Sequence, residues 1–321
     1  MKTIPGLALV SQDLVQVEQK MRAAPHGDIE PLTTALDTLL KSGGKRVRPA
    51  LALLASRFYR PPEDKVISLA AAVEMLHTAT LVHDDLIDGA LLRRGNPTLN
   101  AIWSAGATVL TGDFLFAWAA NLAAQTENMR VMNLFSRTIM IVCSGELCQL
   151  FQPSWREQTR EDYDRRIYAK TASLFAAATE AAAVLASAPE PEVRALRDYG
   201  HQLGMAFQIV DDVLDFAGSS KEMGKPVGSD IRQGIVTLPT LYYLGQHPGD
   251  ELVAQVLAGQ ADDGVVETVV TRIRKAGAVD TAMRDARAHV QRARAALADF
   301  PANGYRQAML DLANFVAQRR I

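Results

Sequence analysis

Apolar residues recur at the three- to four-residue spacing of amphipathic helices along almost the whole 321-residue chain. Runs that alternate with a period of two are sparse, so the sequence predicts an all-α fold. Asn128 is the expected N-cap of one helix, and Gly43-Gly44 is expected to end the first. Helices are predicted over 28–41, 64–91, 104–125, 128–151, 160–187, 191–216, 249–258, 263–276, 278–299 and 303–320.

One stretch, from Gly218 to Pro239, does not fit a helix because glycines, prolines and mixed charges break its pattern. A loop of this length is uncommon in a compact domain unless it has a function. It follows an acidic motif directly, so we expect it to fold over whatever that motif binds. The alternative is a flexible surface connection.

Composition and charge limit the class of protein. Hydrophobic residues make up 48% of the chain, enough for a large core, and the net charge of −2 argues against a nucleic-acid or anionic-membrane partner. Cys143 and Cys148 point in different directions on a helix, which predicts buried free thiols in a reducing compartment. The chain shows neither a signal region nor an apolar run as long as a membrane span, so a cytoplasmic protein is expected.

Two acidic motifs carry the chemistry, Asp84-Asp85-x-x-Asp88 and Asp211-Asp212-x-x-Asp215. The first and last Asp of each motif are four residues apart and share a helix face. Because clustered carboxylates repel one another and resist burial, we expect divalent cations to offset them, with the two sets facing one cavity. Oxygen ligands suit Mg²⁺, which also binds substrate phosphates. The alternative, two solvated helix faces, fits poorly with the apolar residues around both motifs.

Basic and polar clusters accompany the acidic motifs. A Gly-led loop that enters a helix, as at Gly43–Pro49, offers backbone amides and cations to an anion. Basic groups near metal-binding acids suggest a phosphate or diphosphate whose charge Mg²⁺ and Lys or Arg share. The cluster residues are Lys45 and Arg48 in that loop, Arg93-Arg94, Lys170-Thr171, Gln208 and Lys225.

Together these motifs resemble the trans-type polyprenyl (isoprenyl) diphosphate synthases. The resemblance spans roughly residues 40–240, whereas the last 80 residues match only in being helical. The matching segments are Gly43–Pro49, His77–Asp88 with Arg93-Arg94, Gly112-Asp113, Gly145-Glu146-Leu147-x-Gln149, Lys170-Thr171, Gly204-x-x-x-Gln208-x-x-Asp211-Asp212-x-x-Asp215 and Gly224-Lys225-Pro226-x-Gly228-x-Asp230.

The resemblance implies one all-α domain over residues 1–321, a helical bundle of the isoprenoid synthase type around a deep central cavity. It implies that Asp84 and Asp88 bind Mg²⁺ from one wall and Asp211 from the other, with up to three ions. Asp85, Asp212 and Asp215 complete the metal set by supporting metal-bound water or orienting basic side chains.

The same resemblance implies the substrate contacts. Arg93, Lys170, Thr171, Gln208 and Lys225 would hold the allylic diphosphate. Lys45, Arg48, His77 and Arg94 would hold the diphosphate of isopentenyl diphosphate. The catalytic set is then Asp84, Asp88, Asp211, Arg93, Lys170 and Lys225.

The implied reaction is a Mg²⁺-dependent, head-to-tail condensation of isopentenyl diphosphate with an allylic diphosphate. The allylic diphosphate ionises, the isopentenyl double bond attacks the carbocation, and loss of a proton leaves a trans double bond. The resemblance also implies a homodimer through 104–125 and 128–151, and peripheral membrane contact only through the lipid product.

Product length is predicted from the helix that precedes the first motif. Ala79, five residues before Asp84, and Thr80 leave a shaft open where short-chain family members tend to carry aromatic residues. Met75 and Leu76 lie about one turn deeper, and Met132 and Phe135 are candidate floor residues. We expect a C30–C50 product, with C20 or C25 as the alternative. Ala79 could instead serve close helix packing.

One position differs from the family pattern, and three other classes of protein are alternatives. Ile235 stands where family members often carry a second Lys before Thr-Leu-Pro, which puts one diphosphate contact in doubt. A class I terpene cyclase shares the first motif but usually lacks a full second one. A di-iron bundle needs two Glu-x-x-His motifs, and only Glu74-x-x-His77 is present. A non-catalytic subunit of a heteromeric synthase would usually lack an Asp motif.

Overall fold

The computed structural model describes residues 6–25, 29–41, 44–59, 61–93, 95–151, 155–217 and 227–319, and these are almost wholly helical. The helices are α1 Ser11–Arg22, α2 Glu30–Lys41, α3 Val47–Ser56, α4 Glu63–Ile87, α5 Leu99–Ile102, α6 Ala105–Ala124, α7 Met129–Leu150, α8 Arg160–Ile167, α9 Ser173–Leu185, α10 Glu190–Ala217, α11 Ser229–Arg232, α12 Leu238–Gln246, α13 Glu251–Leu257, α14 Asp263–Lys275, α15 Ala278–Ala296 and α16 Gly304–Gln318. Short 3₁₀ turns occur at Leu7–Val10 and Trp155–Glu157, and a π-helical segment, Tyr168–Ala172, joins α8 to α9.

The predicted all-α fold is confirmed, and its errors have local causes. Helix α4 ends at Ile87 rather than at 91, since Gly89 takes a positive φ of 63°. A two-stranded hairpin follows, in which β1 (Leu92–Arg93) pairs with β2 (Asn96–Pro97). The predicted helix 160–187 is interrupted by the π-helical segment. Helices α1 and α12 were not predicted, and α3 was predicted only as the helix that the Gly-led loop enters.

The prediction that Gly218–Pro239 is a loop is wrong for part of the described residues 227–239. Helix α11 and the start of α12 lie inside it. Pro239 occupies the first turn of α12, where backbone amides have no partner within the helix and a proline therefore loses no hydrogen bond. Residues 218–226 lie outside the described residues. The predicted N-cap is confirmed, because the Asn128 side chain accepts hydrogen bonds from the amides of Arg130 and Val131 at 3.0 and 3.2 Å.

The chain divides into two compact units, the first being Met1–Ile139, Leu174–Gly200 and Leu297–Leu312. Helix α4 is its centre and packs against α1, α3 and α6. Small residues permit the approach of α6, since a Cβ atom on Gly112 would lie 2.1 Å from Nε2 of His83. The first Asp motif therefore ends a rigid, buried helix.

The second unit is Met140–Ser173, His201–Ala296 and Ala313–Ile321. Helix α12 packs against α15, and α14 contacts both α13 and α15. Phe216, at the end of the second Asp motif's helix, is fully buried in a cluster with Ile231, Val236 and Tyr243. This cluster packs the end of α10 against α11, α12 and the residues that join them.

Two expectations about the exterior are wrong. Cys143 and Cys148 are free thiols, as expected, but both are exposed rather than buried. Helices α4, α6 and α7 are also long and apolar enough to cross a membrane, judged by length and composition alone. In α4, 78% of the most apolar window is buried inside the protein, so the apolar character of that helix serves the core.

Candidate active site

The first Asp motif lies at the C-terminal end of α4. Asp88 is the C-cap, and its amide donates to the carbonyl of Asp84 at 2.8 Å, which keeps the two residues one helical turn apart. Asp84 is half-buried and Asp88 is exposed, so both carboxylates can accept a cation from solution. Asp85 points the other way and is buried.

Asp85 holds Arg93, which the sequence assigned to the diphosphate. Nε and Nη2 of Arg93 donate to Oδ1 of Asp85 at 2.8 and 2.7 Å, across the turn into β1. Burial raises the pKa of Asp85, Arg93 opposes that rise, and the nearby Asp88 adds to it. The predicted role of Asp85, orienting a basic side chain, fits this geometry.

The Gly-led basic loop uses its middle arginine for structure. Arg46, at φ 47°, is the N-cap of α3 and donates to Glu18 at 2.9 Å, to Glu74 at 3.0 Å and to the carbonyl of Leu40 at 2.9 Å. Glu74 is therefore held in an ion pair, which counts against a di-iron role for Glu74-x-x-His77. Arg46 was not predicted to have a separate role, because nothing in its spacing distinguishes it from its neighbours.

The two cations that flank Arg46 differ in exposure. Lys45 is exposed, whereas Arg48 is half-buried and its guanidinium lies 5.0 Å from the ring centroid of Phe175 in the same unit. A cation above an aromatic ring is attracted to the ring face, so this contact orients the guanidinium of Arg48.

The partly exposed face of α4 continues from Asp84 through His77 and Thr80. Thr80 donates to the carbonyl of His77 at 2.8 Å. Ala79 lies off this face and has no exposed surface. The other predicted chain-length residues are mainly interior: Met75 and Leu76 are fully buried, Phe135 is 6% exposed and Met132 is half-buried.

Asp212, the second residue of the second Asp motif, is buried and accepts hydrogen bonds at both carboxylate oxygens. Oδ2 of Asp212 accepts the hydroxyl of Tyr163 at 2.7 Å, and Oδ1 accepts Nε2 of Gln208 at 2.9 Å. The hydroxyl of Thr171 donates to Oε1 of Gln208 at 2.8 Å. Asp212 thus positions Gln208 and Thr171, both predicted to hold the allylic diphosphate. Tyr163 was missed, although it lies seven residues before Lys170 on the same helical run.

The pKa of Asp212 is raised strongly above its ordinary value. Burial raises its pKa to about 7 and the nearby Asp230 adds to the rise, while the hydrogen bonds from Gln208 and Tyr163 oppose it. Asp215 is also buried, and its Oδ2 accepts the amide of Asp230 at 3.0 Å. Both buried carboxyls therefore hold neighbouring groups of the site in place through hydrogen bonds.

The π-helical segment presents Lys170, whose Nζ lies 2.9 Å from Oε1 of Glu146. Such segments are frequent at functional sites. Gly145 permits this proximity, because a Cβ atom there would lie 2.4 Å from the Cβ of Ala169. The predicted pair Lys170-Thr171 is thus placed by an irregularity that periodicity alone does not reveal.

The half-buried carboxylate of Asp211 forms an ion pair with an arginine side chain. Nη1 of Arg319, just beyond α16, lies 2.6 Å from Oδ1 of Asp211, and its guanidinium lies 4.5 Å from the ring centroid of Phe207. The sequence contains no signal for this pair, which joins residues 108 positions apart.

A cavity of about 110 Å³ lies beside the second motif. It brings together the predicted residues Lys170, Gln208 and Asp212 with Arg166, which was not predicted, and with Ile235. Its lining is Gln149, Arg166, Ile167, Lys170, Gln208, Asp212, Asp230, Ile235 and Thr237.

The donor set suits Mg²⁺. Among the residues described, no three His, Cys, Asp or Glu side chains form a ready-made metal cluster. Mg²⁺ does not need one, because it keeps several waters and binds through one or two carboxylates plus substrate phosphates. Burial raises the pKa values of Asp85 and Asp212, and a nearby cation would favour the ionised form of each carboxyl. Asp84, Asp88 and Asp211 carry the accessible carboxylates.

Some residues of the predicted motifs lie outside the described residues, namely Gly43, Arg94, Gly224, Lys225 and Pro226. The structure therefore neither groups them with the site nor separates them from it.

Comparison with known proteins matches residues 29–273 to the family described as polyprenyl synthetase. The heptaprenyl diphosphate synthase component 2 of Geobacillus stearothermophilus is 39% identical, over 99% of each chain. A solved polyprenyl synthase from Caulobacter crescentus CB15, complexed with calcium and isoprenyl diphosphate, is 36% identical over 100% of each chain, with a TM-score of 0.94. A decaprenyl diphosphate synthase from Rhodobacter capsulatus is 37% identical over 98% of each chain, with a TM-score of 0.91.

Proposed function

The chain belongs to the polyprenyl synthetase family and is a long-chain trans-prenyltransferase, and we propose that it extends an allylic diphosphate with isopentenyl diphosphate to a C30–C50 product. One observation carries the proposal. Lys170, Gln208 and the buried Asp212 line one cavity, which combines cations, an amide and carboxylates as a Mg²⁺-diphosphate complex requires.

We assign the metal contacts to the accessible carboxylates of both motifs. Asp84, Asp88 and Asp211 bind Mg²⁺, with up to three ions, and Asp85, Asp212 and Asp215 hold the surrounding side chains. The relative solved with calcium and isoprenyl diphosphate supports a divalent ion beside a diphosphate in this family.

The cations divide between the two substrates. Arg93, held by Asp85, and Lys170, together with Thr171 and Gln208, bind the allylic diphosphate. Lys45, Arg48 and His77 bind the diphosphate of isopentenyl diphosphate. Lys225 and Arg94 keep the same assignments on the resemblance alone.

The reaction follows from this placement of charge. Asp84, Asp88 and Asp211 would hold Mg²⁺, which would neutralise the charge that develops on the departing diphosphate. Arg93 and Lys170 donate to diphosphate oxygens and favour ionisation, and Gln208 is fixed for its contact by Thr171 and Asp212. The isopentenyl double bond attacks the allylic cation, and the released diphosphate takes the proton that is lost.

Product length is set along α4. The small Ala79 and Thr80 next to the first motif let the growing chain pass, and Met75, Leu76, Met132 and Phe135 limit it further on. Relatives whose names specify heptaprenyl and decaprenyl products support the long-chain range.

We propose that a second copy of this chain is the partner. Large apolar side chains are exposed on the two helices assigned to the interface, with Leu110 on α6 at 69% and Met140 on α7 at 61%. The name of one relative, component 2 of a heptaprenyl diphosphate synthase, makes a different partner subunit the alternative. Size-exclusion chromatography with light scattering on the purified chain distinguishes a homodimer from a monomer that awaits a partner.

Residues 1–321 form one polyprenyl synthase domain on this proposal, since the solved relatives match the chain from end to end. The two exposed free thiols support a reducing, cytoplasmic location. Contact with a membrane is peripheral and arises through the lipid product.

The test is substrate dependence. Purified protein with Mg²⁺ should consume an allylic diphosphate only when isopentenyl diphosphate is present, and a chelator should stop it. Consumption of the allylic diphosphate alone, with release of a cyclic hydrocarbon, would instead identify a terpene cyclase.

A further inference from the structure

The cavity beside the second Asp motif has two cationic side chains in its lining, Arg166 from α8 and Lys170 from the π-helical segment. Lys170 shares its charge with Glu146 at 2.9 Å. Arg166 has no carboxylate within ion-pairing distance among the residues described, so it brings the less compensated charge to the cavity.

Arg166 is held rigidly by neutral groups. It donates to the carbonyl of Val236 and, at 3.3 Å, to Oε1 of Gln158, and its guanidinium lies 5.5 Å from the ring centroid of Tyr163. A guanidinium has five N–H donors, of which two have partners among the described residues. It is thus oriented in advance and keeps donors for an anion.

The carbonyl that holds Arg166 belongs to the residue directly after Ile235, and Ile235 lines the same cavity. An isoleucine can give no charge to a diphosphate. Ile235, where family members often carry a lysine, therefore lies next to the backbone group that binds Arg166 of α8.

We propose that Arg166 binds the allylic diphosphate and supplies the positive charge that Ile235 cannot. The inference rests on the proposed function, because it assigns a further substrate-binding residue to the same site. Arg166 suits the phosphate oxygens of a Mg²⁺-diphosphate complex in this cavity, because a guanidinium can donate to two oxygens of one phosphate.

Exchanging the charge between the two positions tests the proposal. Arg166→Leu removes the cation, and Arg166→Leu with Ile235→Lys returns a cation to the cavity from the segment between α11 and α12. Arg165→Leu is the matched control, since Arg165 is the next residue of α8, is 73% exposed, pairs with Asp162 and does not line the cavity. Thermal denaturation of each variant separates effects on folding from effects on binding.

Arg166→Leu should raise KM for the allylic diphosphate about ten- to a hundred-fold, as the loss of a charged contact does. KM for isopentenyl diphosphate should change less than two- to three-fold, and the control should match the wild type in both. Calorimetric titration with inorganic diphosphate and Mg²⁺ should show the same loss of affinity.

The double variant decides between a binding role and a structural one. A lysine at position 235 cannot replace the hydrogen bond to Val236, so it restores only charge. Recovery of KM to within about five-fold of the wild type supports the proposal. An unchanged KM in Arg166→Leu, or a double variant no better than the single one, overturns it. If the wild type itself fails to elongate an allylic diphosphate, the proposed function has failed instead.

Discussion

Nη1 of Arg319 lies 2.6 Å from Oδ1 of Asp211, so a residue near the end of the chain occupies a carboxylate that we assign to Mg²⁺. Ion and guanidinium carry the same sign and compete for the same oxygen. Arg319 is 16% exposed at its side chain and Asp211 36%, so the pair is only partly screened by water.

Replacing that arginine should therefore ease metal binding. Pairs of this exposure contribute up to about 1 kcal/mol, so Arg319→Met should lower the Mg²⁺ concentration for half-maximal activity about two- to five-fold. Arg319→Lys keeps a cation there and is the control. A Mg²⁺ requirement that rises in Arg319→Met would show that Arg319 assists the site rather than competing for it.

A second prediction concerns protons released on binding. Because burial and Asp230 raise the pKa of Asp212 to about 7, this carboxyl is partly protonated at neutral pH without a cation nearby. Binding Mg²⁺ and inorganic diphosphate should expel that proton, so apparent affinity should fall as pH drops from 8 to 6.

Calorimetry at pH 6.5 in two buffers with different ionisation enthalpies measures the released protons. We expect up to about one more proton at pH 6.5 than at pH 8, where the carboxyl is already ionised. Equal proton release at the two pH values would contradict the assignment of this charge to the site.

Bulk next to the first motif should shorten the product. Ala79→Phe and Thr80→Phe both place a ring on α4 before Asp84, and chromatography of the dephosphorylated products measures the chain length. Ala79 has no exposed surface, so its replacement should also cost about 1–3 kcal/mol of stability, whereas Thr80→Phe should cost less. Full-length product from both variants would refute the shaft along α4.

Stability of the second unit should depend on Asp250. Its carboxylate caps α13 through the amides of Leu252 and Val253, and it accepts from Tyr243 at 2.7 Å and Arg272 at 2.8 Å. Asp250→Ala should lower the free energy of unfolding by about 2–4 kcal/mol. Asp262→Ala, which removes only the cap of α14, should cost about 0.5–2 kcal/mol.

The pH dependence of that loss has a definite sign. Burial alone would raise the pKa of Asp250, but hydrogen bonds from Tyr243, Arg272 and the cap amides hold it below its ordinary value. The carboxylate therefore stabilises the fold above about pH 4, its unfolded pKa, and this stability is lost as pH falls further. Denaturant unfolding at pH 7 and pH 3 should show the variant and the wild type converging at low pH.

The sequence was sufficient for features that are local. Helical spacing predicted α4 and α10, and the acidic motifs at their C-terminal ends were recognisable from residue type and a separation of four positions. Asp212 shows the limit of this approach. It was predicted to support metal-bound water or to orient basic side chains, but the sequence did not indicate that its two oxygens accept from Tyr163 and Gln208.

What the sequence did not predict depends on contacts between distant segments. Arg46 and Arg319 are ordinary surface-type residues until the fold brings Glu74 and Asp211 to them. Arg166 precedes Lys170 by four residues, so helical spacing would place both on one face. The π-helical segment between them changes that spacing, and their common cavity was therefore not predicted. The exposed thiols were misjudged because periodicity gives the direction of a side chain but not what covers it.

The decisive test of the proposed function is elongation of each allylic primer with labelled isopentenyl diphosphate and Mg²⁺. The products are dephosphorylated and separated by chain length. We expect all-trans products in the C30–C50 range, formed by the purified chain alone and abolished by Asp84→Ala or Asp211→Ala. Products that stop at C20 or C25 would contradict the long-chain assignment, and no elongation from any primer would contradict the account as a whole.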